Sequence, residues 1–188
     1  RTALDQAGRP IVFSICEWGS NKPWLWARGI GHLWRTTGDI TTCFDCDKNG
    51  YGFARILEMQ VGLEAFAGPG GWNDPDMLEV GNGGMTADEY RTHFSLWAML
   101  AAPLLAGNDL RNMSDETKSI LLNREVIAID QDPAGKPVQR ISPPAPDSTA
   151  VVLVRPLYDG SFAVGLFNRA AQPQTITVNW SAVGLSGK

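Results

Sequence analysis

Carboxylates stand beside tryptophans in three stretches: Ile15-Cys16-Glu17-Trp18, Leu33-Trp34-Arg35-Thr36-Thr37-Gly38-Asp39 and Gly68-Pro69-Gly70-Gly71-Trp72-Asn73-Asp74-Pro75-Asp76-Met77. An indole stacks on the C–H face of a polyhydroxylated ring, and carboxylates accept from its hydroxyls. Glycine and proline hold the groups on a stiff backbone. The pattern suits a sugar. Asp39 is the candidate proton donor, because it follows a strand-like segment beyond Gly38 and would face other carboxylates. A second negative charge nearby would raise its pKa and keep it protonated near neutrality; the plainer alternative is a helix or turn cap. Arg35 suits bidentate contact with hydroxyls or with Glu17, and equally a simple ion pair with Asp39 four residues on. Glu17 and Asp76 read as hydroxyl acceptors or as structural acceptors of backbone N–H groups. Trp18 and Trp72 can stack on a ring or cover the core, and Trp24, Trp26 and Trp34 belong to the core or the rim.

Other chemistries find less support. The chain has two histidines, His32 and His93; the latter falls inside a helical segment, and no Gly-x-Ser-x-Gly elbow accompanies the former, so a Ser/His/Asp triad is not indicated. Gly81-Asn82-Gly83-Gly84 lacks the spacing of a phosphate loop. A metal-dependent hydrolase built on Asp39, Asp74 and Asp76 needs more ligands than the sequence places. Cys43-x-x-Cys46 suits a loop disulfide or two thiols better than half a zinc site, and Cys16 reads as a small buried residue. No cofactor and no metal are expected.

The elements that must carry these residues follow a βα cadence. Ile11 to Cys16 reads as a strand ending at Glu17. Phe53 to Phe66 has the i, i+3, i+4 apolar spacing of a helix, weakened by Gly62. Thr86-Ala87-Asp88-Glu89 is a capping box opening a helix that Pro103 stops. Leu104 to Ala106 is a minimal strand, and Ser114 caps a further helix through Leu122. Polar and aromatic residues gather at strand carboxyl ends, the mark of repeated βα units; four units make half of a barrel that needs ~250 residues. Beyond Asp132-Pro133-Ala134-Gly135 the texture becomes β-rich at Val138–Ile141, Ala150–Val154, Phe162–Phe167 and Thr175–Asn179, with turns at Ser142–Asp147 and Asp159-Gly160. The expected domains are therefore 1–135 and 136–188, the second an antiparallel sheet with about four strands.

With 188 residues, 44% hydrophobic and 19% charged, the chain has the composition of a globular protein. A net charge of −4 without a basic cluster argues against nucleic acid, and no apolar run reaches the ~18 residues of a membrane span. Arg1 opens the sequence without an initiator methionine or a signal peptide, so the chain is expected to begin within a longer protein.

Together, Cys16-Glu17-Trp18, Trp34 to Asp39 and Gly70 to Met77, followed by Ala101-Ala102-Pro103-Leu104-Leu105, Asn108-Asp109-Leu110 and Ile127 to Pro133, resemble the α-galactosidases (melibiases) of glycoside hydrolase family 27. The resemblance implies the C-terminal half of a (β/α)₈ TIM barrel, units five to eight, followed by a partial antiparallel β-sandwich domain. It implies a retaining hydrolase that releases terminal α-linked galactose, with Asp39 as acid and base. Glu17 and Arg35 match residues that hold the 2- and 3-hydroxyls, and Trp18, Asp76 and Met77 match the pocket wall. The nucleophile, usually set in a strand ending Lys-Tyr-Asp, has no match here, so the chain alone is expected to be inactive. Related specificities remain open: β-L-arabinopyranosidase, α-N-acetylgalactosaminidase, which needs a smaller residue at Glu17, and a non-catalytic carbohydrate-binding pseudoenzyme. Family members are extracellular, periplasmic or lysosomal; oligomeric state is not legible.

Overall fold

A computed structural model describes residues 2–141 and 149–185, so the proline-rich turn at 142–147 lies outside the described residues. After a one-turn helix, α1 (Thr2–Asp5), come three short parallel strands in the order β1–β2–β3: β1 (Ser14–Ile15), β2 (Leu33–Arg35) and β3 (Trp72–Asp74). Ser14 is in register with Leu33, Trp34 with Asn73 and Arg35 with Asp74. All three carboxyl ends therefore lie on one edge. The parallel pattern is taken one step further by a single bridge between Leu78 and Ala106.

β1 is shorter than the run from Ile11 suggests. The Phe13 N–H donates to His32 Nδ1 at 2.9 Å instead of continuing the ladder, and Pro10 has no N–H to offer. Leu104 to Ala106 likewise forms only that bridge, since Pro103 on one side and the bend at Asn108 on the other leave no room for a ladder. The helix from Phe53 ends at Met59, giving α2 (Phe53–Met59), because Gly62 takes φ 88° and the chain re-enters as a short 3₁₀ turn over Glu64–Phe66.

α3 (Ala87–Leu100) starts on the anticipated capping box, with Thr86 Oγ1 accepting from Glu89 N and Glu89 Oε2 accepting from Thr86 N. Its buried face carries Tyr90, His93, Phe94, Leu96, Trp97, Ala98 and Met99. Ala101 at φ 53° ends it ahead of Pro103. α4 (Asp115–Leu121) is capped by Ser114 as anticipated. α5 (Arg124–Asp130), not foreseen, is capped by Asn123, whose Oδ1 accepts from Glu125 N and Val126 N.

The second sheet is antiparallel, β4 (Gln139–Arg140), β5 (Ala150–Pro156) and β6 (Phe162–Asn168) in that order. Thr175–Asn179 forms no strand; Ile176 and Val178 pack instead on Val152, Val154 and Val183. The opposite side chains of β5, Val151 and Leu153, join Ala163, Phe167, Phe53, Leu96 and Trp97 in one core. α3 lies at its centre, packed on α4, α5, β5 and β6.

Candidate active site

The parallel register sets the site. One residue past β1, Cys16 brings its Sγ to 3.9 Å from Arg35 Nη1. Cys16 is exposed, not buried as expected, because β1 is a two-residue edge strand and its carboxyl end leaves the core. Glu17 follows, then Trp18 at φ 60° and 55% exposed. Gly19 lets this loop press onto the end of β2. A Cβ there would lie 2.2 Å from Thr36 O, and its φ is 77°. Glu17 Oε2 accepts from Asn21 N and Nδ2, both at 2.8 Å. Its Oε1 is enclosed without a partner.

Arg35 is the hub of the cluster. Its Nη2 donates to Asp39 Oδ1 at 3.1 Å, to Thr37 O at 3.2 Å and to Asp76 Oδ2 at 2.7 Å. The partners it takes are Asp39 and Asp76, the former as the sequence spacing allowed, and its Nε is enclosed without one. Asp39 keeps its side chain 63% exposed while Arg35 and Asp76 are each 10% exposed. The backbone of Asp39 is fixed from below, because its carbonyl accepts from Tyr51 N at 2.9 Å and Thr41 N donates to Tyr51 O. The Cys43–Cys46 disulfide closes the loop that follows.

Asp76 sits at φ 88°. Its N–H donates to Asp74 Oδ1, its carbonyl accepts from Trp97 Nε1 at 2.7 Å, Oδ1 accepts from Met77 N, and Oδ2 accepts from Ile40 N at 2.9 Å as well as from Arg35. Asp74, 3% exposed, spends its Oδ1 on that backbone N–H. Burial pushes its carboxyl above the ordinary range, opposed by the Asp76 N–H and the Arg35 charge. Met77, 41% exposed, lies with Sδ against Gly107.

Two aromatic expectations divide. Trp18 stays at the carboxyl edge, whereas Trp72 opens β3 and turns its ring to Gly135 and Pro69 at the opposite end of the sheet. Trp34 is fully buried, its Nε1 donating to Asn73 Oδ1. His32 and His93 hold backbone N–H groups of Phe13 and Glu79, so neither is placed as a base. Among the described residues no three His, Cys, Asp or Glu side chains gather as a metal group. No described helix is long and apolar enough to cross a membrane.

Two residues at this edge were not picked out from the sequence. Thr37 Oγ1 is buried with no partner, while the hydroxyl of its neighbour Thr36 is spent on Gln60 and Asp74. Residue type could not separate the two; the alternation of faces beyond β2 does. Trp97 enters from α3, and only its period of burial was readable.

A family model described as alpha galactosidase A matches residues 1–132, and one described as the alpha galactosidase C-terminal beta sandwich domain matches residues 147–188. The alpha-galactosidase A of Cellvibrio japonicus is 50% identical over 186 residues, covering 96% of this chain and 45% of that protein. Among solved structures, alpha-galactosidase I from Mortierella vinacea superposes with a TM-score of 0.87 at 36% identity, covering 97% of this chain and 49% of the other. The alpha-galactosidase of Saccharomyces cerevisiae, solved with raffinose, gives 0.88 at 31% identity, covering all of this chain and 46% of the other. The chain thus spans less than half the length of these relatives.

Proposed function

The chain belongs to the alpha-galactosidase family, glycoside hydrolase family 27, and from that premise we propose that it carries the acid/base side of a retaining site releasing terminal α-linked galactose. The observation that carries this reading is the exposed Asp39 carboxylate on the carboxyl edge of the parallel strands, beside a guanidinium held by a second carboxylate. That geometry lets Asp39 give a proton to a leaving oxygen and later take one from water. Glu17 and Arg35, on the same carboxyl edge as Asp39, suit the 2- and 3-hydroxyls of galactose, and each keeps a polar atom, Oε1 and Nε, without a hydrogen-bond partner. Trp18 and Met77 form wall positions. The length of the Glu17 side chain favours galactose over N-acetylgalactosamine, since an acetamide needs that space.

The parallel strands and the Leu78–Ala106 bridge support residues 1–135 as units five to eight of a (β/α)₈ barrel. Residues 136–188 then begin the antiparallel β domain. A retaining mechanism needs a second carboxyl group about 5–5.5 Å away as nucleophile. No position of this chain matches its Lys-Tyr-Asp setting, so the isolated chain is inactive on this reading. The substrate is a carbohydrate with terminal galactose.

The test is Asp39→Asn in the full-length protein. Loss should reach about 10²–10⁴-fold for galactosides with poor leaving groups and be much smaller for an activated aryl galactoside, which needs no protonation. Equal small losses on both substrates remove Asp39 from the role. Turnover by the purified 188-residue chain would refute the assignment of the nucleophile elsewhere.

A further inference from the structure

The carboxylate of Asp76 reads from sequence as a hydroxyl acceptor or as a structural acceptor of backbone N–H groups, and its bonds are of the second kind together with an ion pair. Oδ2 already takes two donors, Ile40 N at 2.9 Å and Arg35 Nη2 at 2.7 Å, and Oδ1 takes Met77 N at 2.8 Å. The side chain is only 10% exposed. A carboxylate so engaged has little left to offer a hydroxyl.

The two donors on Oδ2 are the ones that bracket Asp39. Ile40 N belongs to the peptide on its carboxyl side, and Arg35 Nη2 is the nitrogen that holds its Oδ1. Asp76 can reach both because its backbone adopts φ 88°, a conformation that strains a non-glycine residue and persists only where the surroundings over-determine it. The surroundings do so here. Asp74 Oδ1 accepts from the Asp76 N–H, and the indole of Trp97, itself fully buried in α3, donates to the Asp76 carbonyl at 2.7 Å.

We propose that Asp76 is a positioning residue, which fixes the Asp39 carboxyl through Ile40 and Arg35 and is itself clamped by Trp97, without touching the sugar. The proposal rests on Asp39 being the acid and base. Bonds at both flanks of Asp39 set the direction from which its carboxyl meets the leaving oxygen, and misplacement by about 1 Å can cost 10²-fold in rate. Sugar affinity depends on other groups.

Kinetics of the full-length protein separate the roles. Asp76→Asn should lower kcat for a galactoside with a poor leaving group by about 10²-fold. The loss for an activated aryl galactoside should be several times smaller, and inhibition by free galactose should stay within about twofold. A galactose inhibition constant weakened tenfold or more, with equal losses on both substrates, would make Asp76 a sugar ligand and overturn the proposal. No loss on either substrate overturns it as well. If Asp76→Asn does not fold, Trp97→Phe keeps a ring in the core while freeing the Asp76 carbonyl, and the same leaving-group pattern is expected at smaller amplitude; its absence counts against the proposal. Asp39→Asn run in parallel distinguishes the two failures. When its leaving-group signature is missing the acid assignment falls, and when it is present while Asp76→Asn shows none, only the positioning role falls.

Discussion

At Arg35 one nitrogen serves two carboxylates while Nε remains unpartnered in the enclosed edge of the site. A planar fork can hold Asp39 and Asp76 with one nitrogen and keep others directed at hydroxyls; a lysine ammonium is a point charge on a flexible stem and cannot divide itself this way. Arg35→Lys should therefore weaken inhibition by free galactose by about tenfold or more, a loss in the range of one hydrogen bond to a charged group. It should lower kcat as well. An unchanged galactose inhibition constant would show that Arg35 holds Asp39 and nothing of the sugar. The placement of Glu17, Arg35 and Asp39 at strand carboxyl ends was legible because each stands at or just after an apolar run whose carboxyl end must open on the same edge of a parallel sheet. The different duties of Asp76 were not. They depend on a positive φ and on an indole 21 positions away, and neither is written in local composition.

The loop after Asp39 is an element in its own right. Tyr51 N donates to Asp39 O, Thr41 N to Tyr51 O, Gly52 N to Cys46 O and Phe53 N to Cys43 O, so the disulfide ties the start of α2 to the peptide carrying Asp39. In the chain-entropy picture a loop this short stabilises by only about 2 kcal/mol. Replacing both Cys43 and Cys46 by serine should lower the thermal midpoint by a few degrees and leave galactose inhibition unchanged, since neither cysteine bonds to Glu17 or Arg35. A tenfold weaker inhibition would show that the loop also shapes the sugar pocket. Elements with their own chemical signals were readable: the Thr86 box, the Ser114 cap and the hairpin of β5 and β6. Those set by tertiary partners were not. β1 is shortened by an imidazole from a neighbouring segment, α2 is cut at Gly62, and α5 hides behind β-branched residues with only Asn123 to announce it.

Across the molecule, one fully buried cation ties the antiparallel sheet to α3 and α5. Arg155 in β5 is fully buried and donates to Lys136 O at 3.1 Å, to Ala98 O of α3 at 3.1 Å and to Ile129 O of α5 at 2.9 Å, so that the last two carbonyls, near helix C-termini, accept from it as well as from Ala101 N and Asp132 N. Beside it Asp130 is raised to about 6 by burial, against the Gln131 hydrogen bond and the Arg155 charge; Asp132 also faces that guanidinium. On the same core His93, stacked on Phe53 and edge-on to Trp97, is lowered to about 3 by burial. The signs oppose. His93 is neutral when folded, so its contribution is present above pH 6.5 and is lost as pH falls towards 3. Asp130 is protonated when folded, so its contribution is present below pH 3.8 and is lost as pH rises through 6. Each changes stability by up to about 1.4 kcal/mol per pH unit, and between roughly pH 4 and 6 the two cancel. Asp130→Asn removes one of them. In the full-length protein the thermal midpoint of this variant, relative to the unaltered protein, should climb as pH rises from 4 to 6 and then level off. A difference independent of pH would mean that the Asp130 carboxyl titrates in the folded protein as it does in the unfolded one. In that case the junction of α5 with β5 would be open to water rather than closed around Arg155.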